Sequence, residues 1–388
     1  MNYLKDKRII LIFFWGVIFF LNSCSSLIGR KHFLNSLNAP TLLDAYEVLD
    51  SRINGGQGYS NNLDTIGYLS WRESRILDSY LNAYKLTKDD RWIDKFVSHA
   101  DLILSHRDDH LFGKGPTWSS LKYLKAKWRK PEPLMVNNAM IVYPLARFAA
   151  IVLLSESLNA YQNVALWYLD NVKKTVDYFN KSYVVDGNIG YYLISDEEFA
   201  KHPGINAPFN SNAAIGKVFL ALYDATGEKR YLTRAKSLAE TLKAGLEIAP
   251  NSSYRWYYWF GAGYEKHKGK EDVSHGALDV QFAVKCYEHD IVFKAEDIHR
   301  FATTLKKNIW DGKEFTSNVW GTGKVETLYA DTGILWACVG RYDHEVVELI
   351  EKYILAKDIQ QLPEYKWNWY MLAISELLLI KALLPFVG

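Results

Sequence analysis

Tyr84-Lys85-Leu86-Thr87-Lys88-Asp89-Asp90-Arg91-Trp92-Ile93-Asp94-Lys95 recurs without a gap, 139 residues later, as Tyr223-Asp224-Ala225-Thr226-Gly227-Glu228-Lys229-Arg230-Tyr231-Leu232-Thr233-Arg234. Apolar residues at helical spacing lead into the first copy (Leu69, Ile76, Leu77, Tyr80, Leu81), and a charged amphipathic run follows it, so the unit is helix, short turn, helix. Self-similarity at a fixed period marks an array of one supersecondary unit. Two units in that interval make each roughly 70 residues long and predict one more between them. The chain supplies it, as helical patterns over 138–158 and 162–180.

Working outward, 212–225 pairs with 229–246, 276–289 with 294–308, and 328–339 with 344–355. The last pattern, 369–384, has no successor and the first, 40–52, has no predecessor, so the two ends are expected to pair and close a ring of six hairpins. The strongly apolar helices belong inside. The charged ones, with Arg91, Asp94 and Lys95 or Lys229, Arg230, Arg234 and Lys236, belong outside. The fold class is all-α, an (α/α)6 toroid over 40–388 as one domain, with short strands in loops at Val184-Val185 and Tyr191 to Ile194. In such a ring the short turns lie on one face. The long connections 54–66, 108–135, 182–208, 247–274, 309–327 and 357–368 gather on the other, and long ordered loops are usually functional.

The first residues differ from the rest. Lys5, Lys7 and Arg8 precede an apolar run from Ile9 to Leu21, then Asn22-Ser23-Cys24. A charged start, a short apolar run and a small residue describe a secretory signal over 1–23. Leu21-Asn22-Ser23-Cys24 resembles the bacterial lipoprotein box, which implies lipid on Cys24, a tether over 24–39 and a place in the cell envelope, at the outer membrane or periplasmic face. Removing that signal takes three basic residues from 46 and one acidic residue from 44, so the remainder is formally neutral. That balance argues against nucleic acid as a partner, since phosphate contacts demand a basic surface. Cys286 and Cys338 fall in apolar helical patterns and read as buried thiols. No CxxC or HExxH occurs, so no metal and no other cofactor is expected, and the chain is expected to act as a monomer.

The connection that carries the most chemistry is Asn251 to Phe282, where Arg255, Trp256, Tyr257, Tyr258, Glu271, Asp272 and His275 precede an apolar helix. Loops anchored to rigid helices are where catalytic groups usually sit. Around the same face, the starts of the inner helices offer Trp71, Arg72 and Glu73; Asn137 and Asn138; Asn206, Asn210 and Asn212; Trp320, Tyr329 and Asp331; and Trp367, Asn368, Trp369 and Tyr370. Flat aromatic faces with amide rims suit a carbohydrate chain; the same aromatics also suit the wide core of a toroid. Asp272, Ser274, Asn137 or Asn210 also fit as helix N-caps, and Arg255 as a partner of Glu265 or Glu271.

A toroid with Asn137-Asn138 opening one inner helix, an Arg255-x-Tyr257-Tyr258 segment and Glu271-Asp272-Val273-Ser274-His275-Gly276 opening another resembles the polysaccharide lyases that cleave uronic-acid polymers, including alginate and glucuronan lyases. It is also similar to the helical domain of glucuronyl C5-epimerases. Where several toroid lyases carry Asn-Asn-His, this chain has Asn137-Asn138-Ala139, which leaves His275 as the candidate histidine. The resemblance implies β-elimination on an anionic polysaccharide. The uronate carboxylate must be neutralised while the C5 proton is removed, for which Asn138, Asn212 and Arg255 are the expected residues. His275 is expected as base and Tyr258 as acid, with Tyr257 as substitute for either. Glu271 or Asp272 would orient His275 or Arg255. Trp71, Arg72, Asn137, Trp256, Trp320, Tyr329, Trp367, Trp369 and Tyr370 would line the substrate. Two competing readings are a glycoside hydrolase using Asp272 with Asp331 or Glu73, and a glycan-binding surface lipoprotein.

Overall fold

Helices that are apolar on every side have to be covered on every side, and this sorts the elements. The computed structural model describes residues 39–324 and 329–383; the signal segment, Cys24 and most of the tether lie outside them. In chain order the main helices are α1 (Ala39–Arg52), α2 (Ser74–Thr87), α3 (Arg91–Ser105), α4 (Met135–Leu153), α5 (Gln162–Phe179), α6 (Phe209–Thr226), α7 (Lys229–Ala244), α8 (Val273–Glu288), α9 (Ala295–Thr303), a 3-10 helix (Ala330–Arg341), α10 (His344–Leu355) and α11 (Glu364–Leu383). In α4, 14 of 19 residues are buried. In α7, 6 of 16 are. The first belongs to the inner wall and the second to the outer. The inner ring runs α2, α4, α6, α8, the 3-10 helix and α11, and α11 returns to α2. Each of these has an outer partner, and α1 packs on α11, so the chain ends pair as expected and an α/α-toroid results.

The repeated turns have one geometry. Thr87 and Thr226 each donate their hydroxyl to the carbonyl four residues back, Ala83 at 2.8 Å and Leu222 at 2.7 Å, and accept the N–H two residues on. Between them Lys88 (φ +57°) and Gly227 (φ +69°) take the left-handed conformation that ends a helix. The expected α-helix over 328–339 is instead a 3-10 helix. Its Gly333 lies against Phe315, 2.5 Å from where a Cβ would stand, and Gly340 lies against Val347, so close approach costs the segment its side chains and its helical preference. Tyr183–Asp186 pairs antiparallel with Ile189–Tyr192, which places the strands about where the sequence does.

The long connections interlace into one collar. Leu121 N–H donates to Thr65, Lys125 N–H to Phe199, and Val319 N–H to Glu271. Asn206 donates to the Phe260 carbonyl, Lys357 pairs with Glu314, and Tyr59 donates to Glu364. All six therefore share one face. Closure carries a testable consequence. Leu42, Tyr46, Leu49 and Ile53 are at most 1% exposed; burying four such side chains is worth on the order of 6–12 kcal/mol, as much as a whole domain's net stability. Deleting residues 40–53 is expected to abolish cooperative melting followed by circular dichroism. A truncated chain that melts like its parent would refute closure.

Candidate functional site

The N-terminus of α8 is the centre of the collar. Asp272 caps the helix, accepting the His275 N–H at 2.9 Å, and the same carboxylate accepts His275 Nδ1 at 2.5 Å. The capping role and the orienting role coincide in one residue. Burial works against Asp272's charge, but the hydrogen bond and charge of His275 and the N–H groups of His275 and Ser274 outweigh it and hold the carboxyl below its usual range. With Nδ1–H donated to a carboxylate, the neutral imidazole has its lone pair on Nε2, which has no partner among the described residues. Tyr258 lies beside the ring, with centroids 5.2 Å apart, and its hydroxyl is likewise unpartnered there. Burial, then the charges of Glu271 and Asp272, push the Tyr258 phenol well above its ordinary value, so it holds its proton at neutral pH.

Alternation along an extended segment divides the aromatic stretch. Tyr254–Arg255 pairs with Glu247–Ile248, and Tyr257 bridges to Lys270. Trp256 and Tyr258 face inward; Arg255 and Tyr257 face the other way. Arg255 pairs with Glu247 at 3.2 Å and lies 4.4 Å from the Trp320 ring centroid. Tyr257 packs between Trp320 and Tyr264. This cluster is separate from the pair at His275. Trp256 is fully buried and donates to Asp279 at 2.9 Å.

Opposite His275 stands Trp71, 6.1 Å between ring centroids, with Tyr123 at its other edge at 6.2 Å. Trp71 sits in a single π-helical turn, Leu69–Glu73, that opens the inner helix; such turns are frequent at functional sites. Its indole N–H donates to Asn137 at 3.2 Å, and Asn137 donates to Asp64 at 2.9 Å. Asn137 thus fixes the mouth from behind. Lys122 lies over both aromatic rings, 5.5 Å from the Trp71 centroid and 5.1 Å from that of Tyr123, and makes no ion pair among the described residues. Tyr123 is exposed at φ +71°, a costly conformation for a tyrosine and one that concentrates at functional positions. Neither residue precedes an inner helix, so nothing in the helical pattern singles them out.

Asn138 and Asn212 serve elsewhere. Asn138 accepts the Trp118 N–H and donates to the carbonyls of Trp118 and Leu134; Asn212 accepts the Tyr192 N–H and donates to those of Ala207 and Pro208. Each pins a loop segment 20 residues upstream, and neither has an amide hydrogen left for substrate. Arg72 lies over Tyr59 and Tyr68 and is 4.0 Å from Glu364. Tyr370 is core and donates to Asp331. Trp367 donates to Leu362, while Trp369 lies against Tyr329 and Tyr365. Exposed Tyr329 is the part of this aromatic group that faces solvent.

Beneath Asp272 is a second acidic pair. Glu271 and Asp279 are both fully buried. Burial pushes Asp279 up to about 8 and, with the charges of Asp279 and Asp272, lifts Glu271 well above the carboxylate range. Glu271 Oε2 and Asp279 Oδ1 are buried with no other hydrogen-bond partner among the described residues, the setting in which a carboxyl pair retains a proton. Glu271, Asp272 and His275 offer ligand atoms within 4.8 Å of one another; Asp272 and His275 already bond each other, and Glu271 Oε1 accepts the Asp272 N–H.

Neither a family model nor a curated protein sequence matches the chain. Solved structures do. Cellobiose 2-epimerase from Spirochaeta thermophila is similar at TM-score 0.57 and 13% identity, over 89% of this chain and 98% of that one. A glycosyl hydrolase of family 88 from Bacteroides vulgatus matches at 0.54 and 12%, over 88% and 99%. A polysaccharide lyase matches at 0.51 and 13%, over 87% and 97%. The fold is therefore the α/α-toroid that these carbohydrate-active enzymes share, and at such identities the likeness carries no particular reaction.

Proposed function

We propose that the protein is a polysaccharide lyase that cleaves a uronic-acid polymer by β-elimination. The observation that carries this reading is the pairing of an Asp272-oriented His275, with Nε2 free, and a protonated Tyr258 whose hydroxyl has no structural partner. His275 Nε2 takes the proton from C5. The C4–O4 bond breaks as C4=C5 forms, and Tyr258 gives its proton to the departing O4. Lys122 receives the uronate carboxylate, the role that Arg255 is turned away from. Trp71, Tyr123 and Tyr329 supply flat faces for sugar rings.

The hydrolase reading needs two available carboxylates. Asp272 is held by His275, Asp331 accepts from Tyr353, Tyr370 and Lys366, and Glu73 is buried against His99 and the Tyr59 N–H. A panel of alginate, glucuronan, pectate, hyaluronan and chondroitin tests the proposal. Chain shortening with ultraviolet absorbance from the new double bond is expected on one of them. Shortening without absorbance would make the protein a hydrolase, and altered sugar stereochemistry without shortening an epimerase. On the polymer that responds, Lys122→Met is expected to lower kcat/KM by about 10–100-fold, the worth of a charge-assisted hydrogen bond. The deficit should shrink on the methyl-esterified polymer, and equal losses on both would remove Lys122 from the carboxylate.

A further inference from the structure

Two cations are buried in the inner wall, and neither makes an ion pair among the described residues. Lys217 of α6 is 3% exposed, and its ammonium donates to Gln281 Oε1 at 2.8 Å and lies 4.5 Å from the Tyr143 ring centroid. Gln281 is held in that orientation because its amide nitrogen donates to the Leu335 carbonyl. Arg75 of α2 is 5% exposed; its guanidinium meets the Trp71 carbonyl and Asn368 Oδ1. Both line one narrow cavity of about 20 Å³, together with Ser74, Ser274, Tyr143 and Asp78. Asp78 is the one carboxylate in that wall, and it is bonded to Arg147.

Leaving an ion in the interior without a counter-charge is unfavourable even after relaxation. Burial lowers Lys217 only to about 8 and Arg75 to about 10, so both remain charged at neutral pH. A water molecule would fit, since one needs roughly 10–15 Å³, but it would leave both charges uncompensated. Among counter-charges, a monatomic anion is the nearest in size to that space. We propose that this cavity on the axis of the toroid, beneath the catalytic mouth, binds a single halide-sized monoanion between Lys217 and Arg75. The inference stands apart from the lyase reading. It concerns the packing of the ring and holds whatever reaction occurs above it.

Bromide is the direct probe. Crystals of the wild-type protein soaked in sodium bromide are expected to show an anomalous peak in contact with Lys217 Nζ and the Arg75 guanidinium. Peaks confined to the surface, with water in the cavity, would overturn the proposal. In solution, unfolding is measured at constant ionic strength as chloride replaces gluconate, an anion too large to enter. Above saturation the apparent folding equilibrium constant is expected to rise tenfold for each tenfold increase in chloride. In Lys217→Met that dependence should vanish. Equal unfolding of the wild type in chloride and gluconate, or an undiminished chloride effect in the variant, would refute it. Should the variant not fold, the wild-type comparison and the bromide crystals still decide.

Discussion

Tyr258→Phe is expected to lower turnover on the responding polymer by on the order of 10²–10⁴-fold, the usual worth of a positioned acid, while leaving the melting temperature where it is. The two halves of that expectation come from one observation. The Tyr258 hydroxyl has no partner among the described residues, while its ring packs on His275 and Trp259. Removing an oxygen that holds nothing in place should cost no stability, so any loss must arise in the reaction. His275→Ala should lower turnover by about the same factor. Because it also removes the Nδ1 bond to the helix-capping Asp272, about 1 kcal/mol of stability should go with it. Full activity in Tyr258→Phe would end its assignment as the acid. Tyr257 would not inherit the role, because it packs on the other side of its strand against Trp320 and Tyr264.

The ring of helices could be read in the sequence because each hairpin is a local object. Thr87 and Thr226 close their turns with bonds to residues two and four positions away, and that chemistry repeats as letters in the chain. The exchange of partners between the first and last helices followed by elimination. The core pair of the site, Asp272 and His275, was also local, three residues apart across a helix cap. What could not be read was which way a side chain faces in a two-residue strand. Arg255 and Tyr258 look like neighbours in the sequence and lie on opposite sides of the backbone. Nor could it be read that Asn138 and Asn212 reach 20 residues back to Trp118 and Tyr192, because those partners are backbone groups whose identity leaves no trace in composition. Lys122 and Tyr123 arrive through bonds between loops, such as Leu121 to Thr65, and the segment that carries them has no period to announce it.

The acidic pair under the helix cap should make stability depend on pH in a direction opposite to that of an ordinary salt-bridged carboxylate. Glu271 and Asp279 are raised in the folded protein, Asp279 to about 8, chiefly by burial. In the unfolded chain both titrate near 4. Between roughly pH 4 and pH 8 the folded state therefore holds at least one proton that the unfolded state has released, so unfolding free energy falls as pH rises, by at most about 1.4 kcal/mol per pH unit for each such proton. Below pH 4 both states are protonated and the contribution is present in full. Asp279→Asn replaces the retained proton with an amide that still accepts from Trp256, and the fall in stability from pH 5 to pH 8, followed by urea unfolding, should become shallower than in the wild type. The two slopes must differ for Asp279 to be protonated. If they coincide, Asp279 is ionised in the folded state, and a negative charge sits directly behind the carboxylate that orients His275.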